Sequence, residues 1–511
     1  MAIRTSRRTR GARDIAVAVE SKVGVGVGNR GGETPYRRTV RSRGGRWRSM
    51  ATIICVVALT VAGMLGTSAV FDAGRAAAAP LGSSGSADSG SAGSSGGSDP
   101  FYTPPTGALP APGTLLRTQS MSTFITVPNR AGKIPASATK ILYVSTNALG
   151  KKVAVSGYYL QPSRPWAGPG TRPLVSYGPG AHGMGDQCAP SRLVSSPNVA
   201  SPGGPMAEIE ALITYNLLAR GYGVVSTDYI GLGTPGDHTF AMRIDQGNAV
   251  IDAARAALHL PGVNPATKVA LAGYSQGGAA TAAAAELIDS YAPDLANHVV
   301  GIYAGGAPTD LRSLLNHLDG QRLGGAIGWA IDGAMALYPD MAQQIPPLLN
   351  AEGKRVTNLV RGQCIVATTL IGSPKTSTWT ASGKTIGELI DSTPALAARV
   401  NDQKVGMRKP TDIPILLSSN PVDPTVPVSQ GQTLFAEWCA ENPRSLEYRN
   451  ISFPVIGGTA LGHIAGGVAG YNEAYEWLAD RFAGKAAASG CVRKAPSNGL
   501  TTGSAGSSGS S

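Results

Sequence analysis

The sequence predicts an α/β protein: a mostly parallel sheet covered by helices and interrupted by one helical insertion. Three observations carry this. From residue 173 onward, short β-rich apolar runs alternate with amphipathic stretches. A Gly-rich turn, Gly273-Tyr274-Ser275-Gln276-Gly277-Gly278, joins one such run to an Ala-rich segment. The alternation stops over 307–400, where only helix-like pieces occur.

The elements follow in order. PLVSYGPG, from 173, reads as a strand ending in glycine, and 208–220 as a helix with apolar positions three and four apart. GYGVVSTDYIGLG is a strand and turn, and 244–260 is helical. KVALAGYS is a strand, GGAATAAAAELIDSY a long helix, and HVVGIYAGGAP a strand. The interval 307–400 offers LRSLLNHL, AMALYPDMAQQI and IGELIDSTPALAARV. Strands resume at DIPILLSSNP (412–421) and ISFPVIGG (451–458), and NEAYEWLADRF is the final helix. The insertion carries apolar residues such as Leu315, Ile345 and Leu348, too many for a solvated loop, so it is expected to form a helical lid.

Outside this core the chain is low in complexity. Gly (67) and Pro (36) make up about a fifth of the 511 residues, concentrated in long loops and ends. The Arg-rich start, the apolar run at 51–70 and the small residues before Ala79 read as an export leader over 1–79. Residues 80–98 are a Gly/Ser-rich linker, 99–494 the catalytic domain, and 495–511 a Gly/Ser-rich disordered tail. The net charge of +12 is not a nucleic-acid signal. Thirteen Lys and Arg against three acids in residues 1–49 supply +10 of it, and that end is expected to be removed. Beyond Cys55 in the leader, Cys188, Cys364, Cys439 and Cys491 remain. An even number in an exported chain points to two disulfides, with three possible pairings. None has metal-site spacing.

The chemistry is concentrated at Ser275. A serine hydroxyl is a weak nucleophile unless a base takes its proton, and a strand–turn–helix Gly-x-Ser-x-Gly presents it above a sheet. The base should be a histidine held by a carboxylate, in the chain order Ser, acid, His. Of the histidines, only His298, His317 and His463 follow Ser275, and the first two come too early. His463 is placed on a Gly-rich loop before the last helix. Asp423, on the loop after ILLSS, is the acid. Backbone amides of Gln276 and of the Tyr177–Gly183 loop, at His182 or a neighbour, are expected to form the oxyanion hole.

These motifs resemble the secretory lipase family. The matching stretches are DPFYTPP, GDQCAPS, VVSTDYIGLGTP, GYSQGG, VRGQC, VDPTVP and GHIAGG, in order over about 390 residues. The resemblance implies an α/β-hydrolase fold with a lid, a Ser275-Asp423-His463 triad, and pairings Cys188–Cys364 and Cys439–Cys491. His182 departs from it by standing where an acidic oxyanion residue is expected. The resemblance implies no metal or cofactor. The substrate is expected to be a lipid or other carboxylic ester, met at a lipid–water interface, and no obligate protein partner is evident. A cell-envelope acyltransferase and a cutinase-like esterase share the chemistry. A catalytically inactive exported binding protein would share only the scaffold.

Overall fold

The computed structural model describes residues 99–122, 136–195, 203–204, 206, 208, 210–372, 375–452 and 460–497. All lie in one unit, Ser83–Ser511. The leader, the linker and residues 498–511 fall outside the described residues, as does most of ISFPVIGG.

One sheet of ten strands runs in the order β1-β2-β3-β5-β4-β6-β7-β8-β9-β10. The strands are β1 (Leu115–Met121), β2 (Ala136–Thr146), β3 (Lys152–Pro162), β4 (Leu174–Gly178), β5 (Gly223–Thr227), β6 (Val269–Tyr274), β7 (Val299–Gly305), β8 (Ile415–Ser419), β9 (Ser445–Ile451) and β10 (Gly490–Ser497). From β5 to β10 every pairing is parallel, whereas β1, β2, β3 and β5 pair antiparallel. The central strands are buried along their whole length, which is why LVSYG, VALAGY and ILLSS read as continuous runs rather than alternating ones.

Helices cover both faces. Against one face pack α2 (Arg243–Leu258), α3 (Gln276–Tyr291) and α11 (Val428–Ala440); against the other pack α1 (Ala211–Ala219) and α12 (Ala460–Phe482). Between β7 and β8 come α4 (Leu311–Leu318), α5 (Ala326–Leu337), α6 (Pro339–Gln344), α7 (Ala351–Arg361), α8 (Ile365–Thr369), α9 (Ile386–Ser392) and α10 (Pro394–Asp402). They share a separate apolar core around Ile327, Trp329, Val356 and Trp379. The expected helical character of 307–400 is observed among its described residues, whose only β-type pairings are isolated bridges. Among the described residues no helix is long and apolar enough to cross a membrane.

Both disulfides pair as the family resemblance implied: Cys188–Cys364, 176 residues apart, and Cys439–Cys491, 52 apart. In the chain-entropy model such loops stabilise by about 5 and about 4 kcal/mol.

Strands β1–β3 precede residue 173, in a stretch for which the sequence reading named no element; β1 pairs antiparallel with β2 and β2 with β3, and no helix is described between them to set up a strand–helix rhythm. Strand β9, Ser445–Ile451, opens six residues before the run expected at 451–458, most of which lies outside the described residues. The last helix begins at Ala460, not 472, and His463 lies in its first turn rather than on a loop. Strand β10 continues to Ser497, which pairs with Ile451, three residues past the boundary expected at 494.

Candidate active site

The turn after β6 is built by close approach. Ser275 caps α3 with φ 60° and ψ −124°, a strained conformation for a residue bearing a Cβ. A Cβ on Gly273 would strike the Gly277 backbone, and one on Gly277 would strike the Gly178 carbonyl. The glycine spacing is therefore a steric requirement of the turn. It places Ser275 at the positive end of a 16-residue helix, where the Gln276 amide opens the first turn.

Asp423 follows β8. Its Oδ2 lies 2.6 Å from His463 Nδ1, and its Oδ1 accepts from the Thr425 and Val426 amides at 2.8 and 3.0 Å. Burial would raise this carboxyl, but the His463 charge and hydrogen bond and the two amides outweigh it and hold the pKa below its ordinary value. His463 lies on α12. Its ring is 5.0 Å from that of Tyr274, whose hydroxyl donates to Asp423 Oδ2 at 3.4 Å. Tyr274 thus brings the acid–imidazole pair up against the residue preceding Ser275. His463 Nε2 is buried with no hydrogen-bond partner, so an acceptor nitrogen is left for an incoming proton.

Gly466, Gly467 and Gly470 allow α12 to lie this close. A Cβ at Gly466 would meet Asn420 and the Tyr274 hydroxyl, and one at Gly467 the Tyr274 ring.

The loop after β4 lies against the same turn, since Gly178 pairs with Gly273 and faces Gly277. Its Gly180 N–H is already taken: it donates to both Glu210 carboxylate oxygens, at 2.9 and 3.1 Å. His182 Nδ1 donates to the Gly180 carbonyl at 2.8 Å, and Nε2 lies 2.8 Å from Glu208 Oε2. Burial would lower the His182 pKa, but Glu208 reverses this and raises it to about 9. Burial raises Glu210. The His182 side chain is therefore committed to this cluster, and only its backbone remains for an oxyanion role. Among the described residues His182, Glu208 and Glu210 are also the group near enough to share a metal ion, but all three are already bonded to one another or to the loop.

Gln276 is braced by a residue that sequence reasoning did not use. Its side-chain amide lies 3.2 Å from His238 Nε2, while His238 Nδ1 donates to the Ile230 carbonyl at 2.9 Å. Burial pushes His238 down to about 4, so the ring is neutral and Nε2 accepts from Gln276. Tyr229 stacks on His238 and donates its hydroxyl to Pro179 of the β4 loop at 2.8 Å. Glu208, Glu210, Tyr229 and His238 went unrecognised because their partners are distant in sequence; only the Glu-Ile-Glu before α1 offered a local signal.

The insertion is tied to this region. Cys364 binds Cys188 just beyond the loop, and the Ile365 amide donates to the His182 carbonyl at 2.8 Å. His317 of α4 lies 3.0 Å from the Pro424 carbonyl, beside Asp423. Ala181 and Met184 of the loop pack into the insertion's core. Inside that core is an apolar cavity lined by Leu311, Leu315, Ile331, Met341, Ile345 and Ile390, among others, but by none of Ser275, Asp423 and His463.

Comparison with known proteins bears on the family and the fold. The family model described as secretory lipase matches residues 201–490, more than half of the chain. Lipase 10 of Candida albicans is 27% identical over 409 residues, covering 77% of this chain and 83% of the relative. A Mycobacterium tuberculosis protein named probable inactive lipase is 30% identical over 404 residues, covering 76% and 82%. The crystal structure of Candida antarctica lipase A in its closed state superposes with a TM-score of 0.66 at 25% identity, covering 80% of this chain and 91% of that one. The α/β-hydrolase fold is thereby shown.

Proposed function

Because the chain belongs to the secretory lipase family, whose members are hydrolases of carboxylic esters, we propose that it is an exported lipase working through Ser275, His463 and Asp423. The observation that carries this is the 2.6 Å Asp423–His463 contact beside the strained Ser275 turn. Ser275 Oγ attacks the ester carbonyl as His463 Nε2 takes its proton. Asp423 keeps the Nδ1 proton in place and stabilises the imidazolium. The Gln276 amide and an amide of the 181–182 stretch receive the oxyanion. Collapse expels the alcohol with the proton from His463, and water then hydrolyses the acyl-enzyme. The leader at 1–79, with its apolar run at 51–70, is the export signal in this reading, and acylglycerols at a lipid–water interface are the substrates.

The apolar cavity of the insertion is the place for an acyl chain, reached when the helices over the site move. A series of p-nitrophenyl and triacylglycerol esters on purified mature protein tests both statements. Hydrolysis of some of them is expected, and hydrolysis of none overturns the function. The M. tuberculosis relative favours a second reading, a catalytically inactive exported protein, which the second outcome would support. Leu315→Trp should fill the cavity and depress long-chain esters while sparing acetate and butyrate. An equal effect on both would make the insertion a rigid accessory subdomain.

A further inference from the structure

We propose that the buried cluster of His182, Glu208 and Glu210 is a positioning device for the oxyanion site, one that fixes the β4 loop by engaging both polar groups of Gly180. This rests on the hydrolase reading above. Glu210 takes the Gly180 N–H and also accepts from the Tyr177 hydroxyl at 3.0 Å; His182 takes the Gly180 carbonyl. The Pro179–Gly180 peptide is therefore held at both ends, by Tyr229 at its carbonyl (2.8 Å) and by Glu210 at its N–H, and the following peptide is held at its carbonyl by His182. The Gly180 N–H is not available to an oxyanion, so that role passes to an amide beyond Gly180.

The cluster lies directly behind the reacting region. A Cβ at Gly180 would meet Glu210 Oε1, and next to it the Tyr274 carbonyl at 3.6 Å. Two carboxylates so near a developing negative charge would oppose it. The His182 imidazolium, 2.8 Å from Glu208, offsets one of them. The cluster thus couples loop geometry to local charge balance, and each member has a separable effect. His182 and Glu208 are 3% and 2% exposed, so solvent cannot substitute for a missing partner.

Glu210→Ala frees the Gly180 N–H and leaves the Pro179–Gly180 peptide held only at its carbonyl. It should lower kcat for p-nitrophenyl butyrate by about 100-fold with KM changed less than about threefold, the signature of a lost transition-state interaction. An alkylboronate, whose adduct with the serine is tetrahedral, should lose affinity by a similar factor. Glu210→Gln keeps an acceptor for the Gly180 N–H and should restore most of the rate. Glu208→Ala removes the partner that holds His182 against the Gly180 carbonyl, and should depress kcat and boronate affinity together; it serves as the second variant should Glu210→Ala fail to fold. Amide exchange at Gly180, slow in the parent, should accelerate in Glu210→Ala. The proposal is overturned if folded Glu210→Ala or Glu208→Ala keeps parental kcat, if kcat falls in them with boronate affinity unchanged, or if Gly180 exchange is unaltered in Glu210→Ala. It is equally overturned if the purified protein carries one metal ion per chain whose removal by EDTA lowers kcat. A parent that hydrolyses no ester overturns the hydrolase reading instead, and Gly180 exchange still decides the clamp.

Discussion

Ser275→Ala should abolish ester hydrolysis while leaving the fold unchanged. Removing the nucleophile of such a triad costs on the order of 10⁴–10⁶-fold in kcat, and the residual rate comes from binding and oxyanion donors alone. The structural cost is small for a specific reason. The strain at Ser275 belongs to a backbone with φ 60°, and alanine carries the same Cβ, so the turn stores the same strain with either residue. Among the described residues the hydroxyl makes no hydrogen bond on which the packing of β6 against α3 relies; the Ser275 amide, which bonds the Gly305 carbonyl at 2.9 Å, is untouched. Thermal unfolding should therefore match the parent within a degree or two, about what a few tenths of a kcal/mol would shift. A fluorophosphonate should label the parent at Ser275 and leave the variant unlabelled. Labelling at another serine, or a variant within tenfold of the parental rate, would remove Ser275 from the mechanism.

The parts of this site that were legible in the sequence are those imposed by local sterics or by topology. The glycines around Ser275 are required by backbone contacts a few residues away or across one strand pair, so their spacing is visible in the chain. Asp423 was found by its place after a buried apolar strand, and His463 by elimination. The start of α12 was not legible, because Gly462, Gly466, Gly467 and Gly470 lower helix propensity by about 1 kcal/mol each relative to alanine. Packing of that glycine face on Tyr274, Asn420 and Tyr303 overrides the propensity, and no single-chain pattern announces it. Strand β10 was missed because an edge strand with one neighbour, reading GCVRKAPS, has no apolar face to alternate. The disulfide pairing came from family resemblance alone; the spacings left three choices. The His182 cluster and the His238 brace join residues 26 to 38 positions apart, beyond the reach of any helical or strand period.

Asp423→Asn tests the acid by its geometry rather than by its absence. Two amides fix one side of this group: Thr425 and Val426 donate to Oδ1. In the variant the asparagine oxygen should stay with those donors, which turns its NH₂ toward His463 Nδ1. Nδ1 must then accept, so the proton of the neutral ring moves to Nε2, and Nε2 can no longer take one from Ser275. A wrong tautomer of this kind costs about 10⁴-fold in kcat near neutral pH in a comparable triad, with substrate binding little changed. The native carboxylate also makes stability depend on pH. Its folded pKa lies below the ordinary carboxylate value of 3.8 despite burial, because His463 and the two amides favour the charged form. A depressed folded pKa gives stability that is fully present above the unfolded value and is lost as pH falls through the folded one. The parent should thus lose stability relative to Asp423→Asn only at pH below about 4, and the two unfolding curves should converge there. A variant retaining activity within tenfold of the parent at pH 7, or a parent–variant stability gap unchanged between pH 7 and pH 3, would show that Asp423 does not orient His463.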